Sequence, residues 1–302
     1  MASRRHKKVV IVMGPTGCGK TKLSLDLASR FFPSSEIINA DKIQTHRGLP
    51  ITTNKIPLSD RLQIPHHLLG SFQSSPSHPE LTPSDFRLSA SSLISQIHSR
   101  RNTPIIVGGS NSFIYALLAK SFHPDSDVFT DSDSAISICK GLRYSCCFIW
   151  VDASPAVLSE YLATRVDEMM EAGMFEELEE FFGSGESDSV SGRGLGRAIG
   201  VPEFRRYFER KARGDWAGDG DVADREAYVE AVRAIKDNTC QLAKRQLGKI
   251  LRLRDSAGWD LKRVDATAAL RAAMAGRKTA EHWEREVVEP SRNIVKRFLM
   301  GE

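Results

Sequence analysis

Residues near the amino end of the chain have the types and the spacing that phosphate chemistry requires. The stretch Gly14–Thr21 reads GPTGCGKT and fits the pattern G-x-x-x-x-G-K-[ST]. Glycines in such a loop let backbone N–H groups surround phosphate oxygens, the lysine adds a positive charge, and the last hydroxyl can bind Mg²⁺. The sequence therefore predicts a phosphate-bearing ligand and Mg²⁺ as cofactor, with Thr21 as the metal ligand. The residues expected to bind the phosphates are Gly14, Gly17, Cys18, Gly19, Lys20 and Thr21.

The elements on either side of this loop are those that the pattern needs. Residues 9–13 form a short apolar run, VVIVM, which predicts a buried strand. From Thr21 to Phe31, apolar residues recur at a spacing of four and predict a helix, whose N-terminus would favour an anion. Cys18 lies between the two elements, either as a small residue that fits the loop or as a thiol of lowered pKa.

Composition places the chain among ordinary soluble globular proteins. It has 302 residues, of which 41 % are hydrophobic and 26 % charged, and a net charge of +4. No apolar run approaches the ~20 residues that a membrane span requires. The five cysteines show no C-x-x-C pair and no metal-ligand spacing, which favours a reduced compartment. The basic segment 1–8 is expected to be a solvated tail, and no apolar signal-peptide core precedes residue 9.

Strands and helices are expected to alternate along most of the chain, which predicts an α/β fold with a parallel sheet flanked by helices. Residues 9–182 would form the core, and 183–302 would add a mobile loop and a mainly helical C-terminal part that completes the site within one compact unit. Loops are expected at 48–82, 183–196 and 214–221. Further strands are predicted at 36–41, 104–107 and 146–152, and helices at 83–100, 112–120, 155–182 with a break near Gly173, 201–213, 224–253 and from 267 onwards.

Polar residues follow several of the predicted strands. Ligands of parallel α/β sheets lie beyond the carboxyl ends of the strands. Four groups are therefore expected to converge on one crevice, namely residues 16–21, Asp41, residues 108–110 and Asp152. A carboxylate there can accept a proton from a reacting group, although Asp41 alone could equally cap a turn or bind Mg²⁺.

An ordered series of motifs resembles the isopentenyltransferase (dimethylallyltransferase) family. After the phosphate loop come DKIQ at 41–44, PHHLL at 65–69, DFR at 85–87 and VGGS at 107–110, followed by RAIG at 197–200 and QLAKRQ at 241–246. The resemblance implies a P-loop NTPase-like fold in which the loop holds the diphosphate of dimethylallyl diphosphate. It also implies that the N6 amine of an adenine attacks the allylic carbon and that diphosphate leaves.

The resemblance implies roles for individual residues. Asp41 would accept the N6 proton, Thr16 would donate a hydrogen bond to the leaving-group oxygen, and Lys20 and Arg197 would bind the diphosphate. Ser110 could instead cap a helix, and the two basic residues of QLAKRQ could form ion pairs on a helix face. The remaining candidates for substrate binding are Gln44, Ser110, Arg143, Lys244 and Arg245, of which Arg143 has the weakest support.

The class of acceptor is inferred from the length of the segment between two motifs and from the cysteines of the C-terminal part. The segment 121–145 has 25 residues, too few for the helical domain that the resemblance places there in tRNA-modifying members. No cysteine follows Cys240, so the C-terminal zinc finger of eukaryotic tRNA members is not expected. The motifs look most like those of plant adenylate isopentenyltransferases, which implies ATP and ADP in preference to AMP, no membrane, and location in plastids or, alternatively, the cytoplasm. We expect a monomer. A preference for longer phosphate chains needs extra cations near the nucleotide, for which the candidates are Lys211, Lys236, Lys244 and Arg245, although the sequence does not place them.

Three other functions remain open from the sequence. A tRNA dimethylallyltransferase acting on adenosine 37 would share the fold and the motifs. A small-molecule kinase would use the loop to transfer a phosphoryl group from ATP, but it would leave Asp41 and Gln44 without a role. A nucleotide-binding protein without catalytic activity would bind its ligand without turnover.

Overall fold

The computed structural model describes residues 7–75, 77–130, 138–185, 192–214 and 220–301. Most of the basic tail lies outside the described residues. The same holds for 186–191 of the predicted glycine- and serine-rich loop and for 215–219 of the loop that precedes the longest helix.

A six-stranded parallel sheet forms the centre of the fold, in the order β3-β2-β4-β1-β5-β6. β1 lies between β4 and β5, so the strand order reverses there and opens a crevice at the carboxyl ends of these strands. The four predicted strands are confirmed, whereas β3 and β6 were not predicted. The strands are β1 (Lys8–Met13), β2 (Ser35–Asn39), β3 (His66–His67), β4 (Thr103–Gly108), β5 (Ser145–Asp152) and β6 (Leu261–Asp265).

The predicted helices are also confirmed, and Gly173, at φ 98°, separates two of them where the break was expected. Short 3₁₀ turns lie at Leu58–Arg61 and Gly194–Arg197, and π-helical turns at Leu27–Phe31 and Glu284–Val288. The α-helices are α1 (Lys20–Asp26), α2 (Pro83–Ser99), α3 (Asn111–Leu118), α4 (Pro155–Glu171), α5 (Met174–Gly183), α6 (Val201–Arg213), α7 (Gly220–Asp255), α8 (Thr267–Met274), α9 (Ala280–Trp283) and α10 (Glu289–Met300).

The two faces of the sheet are covered by different helices. Alternate residues of β1 point to opposite faces, so that Val10 and Val12 belong to one hydrophobic cluster and Ile11 and Met13 to another. The first cluster includes residues of α1, α4 and α8 to α10, and the second includes residues of α2 and α3. The result is a P-loop NTPase-like sheet flanked by helices, as the sequence predicts.

A third hydrophobic cluster lies among helices beyond the sheet. It joins residues of α4, α5, α6 and α7 and is rich in aromatic rings, with Phe175 and Phe208 stacked at 5.4 Å between ring centroids. α7 contributes to all three clusters, with Ile235 in the third, Ala243 in the first and Ile250 in the second. Among the residues described, no helix is both long and apolar enough to cross a membrane.

Candidate active site

The phosphate loop joins β1 to α1 and is closely enclosed by its neighbours. A side chain on Gly14 would collide with the carbonyl oxygen of Val151 in β5, so this position requires glycine. Gly19 adopts φ 84°, and a Cβ there would lie 2.6 Å from the ring of Trp283 in α9. The close approach of β5 and of the C-terminal helices therefore holds the loop in shape from behind.

A polar cavity of about 220 Å³ opens above this loop. The Lys20 ammonium donates to the Pro15 carbonyl oxygen at 2.7 Å, and burial lowers the pKa of Lys20 to about 8. The neighbouring Asp41 carboxylate opposes this shift because it favours the charged ammonium. From the predicted set, the cavity is lined by Thr16, Gly17, Gly19, Lys20, Thr21, Asp41 and Gln44.

Cys18 takes part in this loop only through its backbone. Its side chain is fully buried in the first hydrophobic cluster, and burial raises the pKa of the thiol to about 12. The alternative that Cys18 is a thiol of lowered pKa is therefore wrong. The structure supports the other interpretation, in which Cys18 is a small residue that fits the loop.

Asp41 follows β2, and its carboxylate is held by the turn that it begins. Oδ1 accepts hydrogen bonds from the N–H groups of Ile43 at 3.0 Å and Gln44 at 3.2 Å. The Ser110 hydroxyl accepts from the Lys42 N–H at 2.8 Å and so fixes the same turn, rather than capping α3. Within the described part of the chain, no hydrogen bond engages Oδ2 of Asp41, and the residue lines the polar cavity and the one beside it.

The second cavity, of about 240 Å³, adjoins the first and is mainly apolar. Its walls come from α4, α7 and the segments around residues 52–54 and 197–199. The Gln44 amide donates to the carbonyl oxygens of Thr53 and Asn54 at 3.1 and 3.0 Å, which ties that wall to the Asp41 turn. The two cavities share Thr16, Asp41, Gln44, Asn54, Arg165 and Leu242, so two ligands would meet at these residues.

Arg165 of α4 is a site residue that the sequence analysis missed. Its guanidinium lies 3.4 Å from the Thr16 hydroxyl, lines both cavities, and has a pKa lowered by burial. The signal was present in the sequence, because Arg165 continues the inward stripe of Leu158 and Leu162 on α4. An arginine in an apolar helical stripe is a candidate for anion binding.

Gln246 of α7 ends the QLAKRQ motif but was not predicted to be a site residue. It is buried, and its Oε1 accepts the Thr16 N–H at 2.7 Å. Its side chain also packs against Gly109, where a Cβ would collide with the Gln246 amide. The contact between Thr16 and Gln246 spans 230 residues of sequence, and local sequence patterns do not reveal such a contact.

The predicted cations divide into those at the cavities and those away from them. Arg197 and Arg245 line the apolar cavity, and Arg197 lies 3.5 Å from Glu80 rather than above the phosphate loop. Lys244 is exposed and lines neither cavity. Lys211 and Lys236, expected near the nucleotide phosphates, form ion pairs with Glu179 and Asp167, each at 2.6 Å.

Two predicted positions are wrong. Arg143 precedes β5 and lies at the amino ends of the strands, whereas the phosphate loop lies at their carboxyl ends. The six residues of β1 between these ends span roughly 20 Å. Its guanidinium donates to Ser91 and to the Leu117 carbonyl oxygen, both at 3.0 Å, so it serves the structure there. Asp152 ends β5 but pairs with Arg263 at 2.7 Å and lines neither cavity, because the unpredicted β6 lies beside it.

Comparison with known proteins agrees with this geometry. The family model described as IPP transferase matches residues 44–137 and 124–249, which together span more than half of the 302 residues. An adenylate isopentenyltransferase of Humulus lupulus is 53 % identical over 95 % of this chain and 89 % of that protein. Adenylate isopentenyltransferase 1, chloroplastic, of Arabidopsis thaliana is 51 % identical over 98 % of this chain and 82 % of that protein.

A solved structure shares the fold. The tRNA isopentenylpyrophosphate transferase of Bacillus halodurans superposes with a TM-score of 0.71 at 24 % identity, covering 98 % of this chain and 97 % of that one. From the family model and the near-complete matches to these two plant proteins, the chain belongs to the IPP transferase family.

Proposed function

We propose that this protein transfers the dimethylallyl group of dimethylallyl diphosphate to N6 of the adenine of ATP or ADP, and less readily AMP, releasing diphosphate. This is the first step of cytokinin biosynthesis. The observation that carries the proposal is the meeting of a polar phosphate cavity and an apolar cavity at Asp41, Thr16 and Arg165. Adenylate isopentenyltransferases 53 % and 51 % identical to this chain support the acceptor class.

In the reaction, the adenine lies in the apolar cavity with its N6 amine toward Asp41. The N6–C1 bond forms while the bond from C1 to the diphosphate oxygen breaks, and the N6 proton passes to the carboxylate. The exocyclic amine is a poor nucleophile because its lone pair is delocalised into the ring, so a base beside it is required. The turn supports this role, because its N–H groups hold Oδ1 and leave Oδ2 available to accept the proton.

The leaving diphosphate occupies the polar cavity, where charge-stabilising groups converge. The loop N–H groups and the Lys20 ammonium bind its oxygens, and Arg165 lies where it can bind the oxygen that C1 leaves. Because the Thr16 hydroxyl accepts from Arg165, its own proton is free to be donated to that oxygen. Arg197 lines the adjoining apolar cavity, and to bind the diphosphate it would exchange its contact with Glu80 for the substrate.

Mg²⁺ fits the polar cavity as a cofactor. The Thr21 hydroxyl lines this cavity, and oxygen atoms are the ligands that Mg²⁺ prefers. No cluster of three or more His, Cys, Asp or Glu side chains suited to a metal occurs in the described part of the chain. The ion would therefore take most of its ligands from the diphosphate and water, and it would neutralise the charge of the leaving group.

We further propose that the protein acts as a monomer and is located in plastids. The large hydrophobic side chains that are most exposed among the described residues come from four separate stretches of the chain, at 58–62, Leu88, Val229 and Met300. The plastid location is supported by the word chloroplastic in the name of the Arabidopsis relative, although another, 41 % identical, is named mitochondrial.

An acceptor panel tests the proposal. Purified protein with Mg²⁺ and dimethylallyl diphosphate is offered ATP, ADP, AMP and unmodified A37 tRNA separately, and the products are identified by mass spectrometry. We expect prenylated ATP and ADP, less prenylated AMP, unmodified tRNA, and no turnover after chelation of divalent ions. Prenylated tRNA would establish the tRNA enzyme instead. ADP formed from ATP with a phosphorylated acceptor would indicate a kinase, and ATP binding without turnover would indicate a binding protein.

A further inference from the structure

One wall of the apolar cavity is a short irregular segment that cannot hold its own shape. This wall turn (residues 49–55) places Thr52, Thr53 and Asn54 against the cavity. Its internal hydrogen bonds, such as the Thr53 N–H to the Leu49 carbonyl oxygen at 3.0 Å, resemble a single turn of helix. One isolated helical turn is unstable in water, so the wall depends on contacts from outside it.

Glu177 of α5 supplies the outer contact. Its Oε1 accepts the Ile51 N–H at 2.9 Å and its Oε2 accepts the Thr52 N–H at 2.6 Å. One carboxylate therefore binds two successive backbone N–H groups at the beginning of the wall turn. Hydrogen bonds to an ionised acceptor are about twice as strong as neutral ones, and two together fix orientation as well as distance.

The opposite side of the wall turn is linked to the catalytic carboxylate through Gln44. Gln44 donates to the Thr53 and Asn54 carbonyl oxygens, and its own N–H donates to Asp41. The wall turn is thus held between the Asp41 turn on one side and α5 of the helical part on the other. Lys55 completes the arrangement by donating to the Gly48 carbonyl oxygen at 2.7 Å.

We propose that Glu177 is a positioning residue for the acceptor nucleotide, which it serves by holding the wall turn against the adenine. The inference rests on the proposed function, because it assumes that the apolar cavity receives the adenine. Glu177 lines neither cavity, so it acts through Thr52, Thr53 and Asn54 rather than by touching the substrate.

The variants Glu177→Gln and Glu177→Asp test separately the charge and the length of the Glu177 side chain. Gln keeps the length but loses the charge and one acceptor oxygen, whereas Asp keeps the charge and is one methylene shorter. The matched control is Glu176→Gln, since Glu176 lies in the same first turn of α5 and is exposed. We expect the KM for ADP to rise about tenfold in both Glu177 variants, with kcat and the KM for dimethylallyl diphosphate changed less than about threefold.

Hydrogen exchange of a peptide covering residues 49–55 gives a readout independent of turnover. Exchange should become faster in both Glu177 variants and stay unchanged in Glu176→Gln. Faster exchange with an unaltered KM for ADP overturns the role in acceptor positioning while leaving the proposed function intact, and so does an equal rise in both KM values. A wild-type protein that prenylates no adenine nucleotide refutes the proposed function, and the role of Glu177 toward an acceptor falls with it.

Discussion

At the scale of single residues, a substitution of Asp41 can test its role as the catalytic base without disturbing the turn. Asn at this position keeps an oxygen that can accept from the Ile43 and Gln44 N–H groups, so the turn should persist. It cannot accept the N6 proton. We therefore expect Asp41→Asn to lower kcat by roughly 10²–10⁴-fold, with an unchanged KM for dimethylallyl diphosphate.

Steady-state kinetics against both substrates measure this effect, and thermal unfolding verifies that the variant is folded. Asp60→Asn, at an exposed aspartate in a 3₁₀ turn, should leave kcat within about twofold. A full rate in Asp41→Asn would show that Asp41 only shapes the turn, which is the alternative that the sequence left open.

The lowered pKa of Lys20 predicts that donor binding depends on pH. Burial lowers its pKa to about 8, so in the free enzyme the ammonium is charged below this pH and increasingly neutral above it. The bound diphosphate favours the charged form, so binding above pH 8 must draw a proton from solution. We expect the Kd for dimethylallyl diphosphate to rise with pH above 8, approaching about tenfold per pH unit.

Calorimetry at pH 8.5 in buffers of different ionisation enthalpy measures the proton uptake. Lys55 serves as the comparison, because burial also lowers its pKa to about 8 but it belongs to the acceptor wall. Lys55→Met should keep the proton uptake on donor binding. Binding enthalpies that do not depend on the buffer would contradict the assignment to Lys20.

At the scale of elements, the sequence predicted those with a strong apolar pattern and missed those without one. β1 and β5 are buried on both faces and show continuous apolar runs. β6 reads LKRVD, and it forms only because it pairs with β5 at the edge of the sheet. Edge strands often carry charges, so a short polar strand resembles a loop until its partner is known. The error at Asp152 has the same origin.

Two glycines in regular elements should respond oppositely to alanine. Gly248, in the interior of α7, is exposed and has no atom within 4 Å of an added Cβ. Gly248→Ala should raise the free energy of unfolding by about 0.5–1 kcal/mol because glycine is the more flexible residue in the unfolded chain. Gly108, at the end of β4, faces the Ala40 backbone, with which a Cβ would collide. Gly108→Ala should therefore lower the free energy of unfolding by about 1–3 kcal/mol.

Urea denaturation of both variants measures these changes. Because Ala40 precedes Asp41, the Gly108 variant should also lose activity, whereas the Gly248 variant should retain it. A destabilising Gly248→Ala would mean that the surroundings of this part of α7 are more crowded than its exposure indicates.

At the scale of the whole molecule, the parts of the site that could not be predicted are those that join distant segments. Asp41 and the phosphate loop could be predicted because each belongs to one strand and the turn after it. Arg165, Gln246 and Glu177 act on partners more than 100 residues away, and only the packing of α4, α5 and α7 brings them there. We propose that residues 9–182 and 183–302 form one compact unit, since α7 adds residues to all three hydrophobic clusters.

Gln246 is the point at which this long helix meets the phosphate loop. Gln246→Leu keeps the volume but removes the acceptor of the partly buried Thr16 N–H. A typical hydrogen bond contributes about 0.5–1.5 kcal/mol, so the free energy of unfolding should fall by that amount. Because Thr16 belongs to the loop, the KM for dimethylallyl diphosphate should rise as well.

Gln241→Leu is the matched control, since Gln241 is an exposed glutamine on the same helix. It should change neither the unfolding free energy beyond about 0.5 kcal/mol nor the donor KM. Urea denaturation and donor kinetics on the two variants distinguish a general effect on α7 from a specific one on the loop. If Gln246→Leu lowered stability without altering the donor KM, α7 would hold the fold together without positioning the phosphate loop.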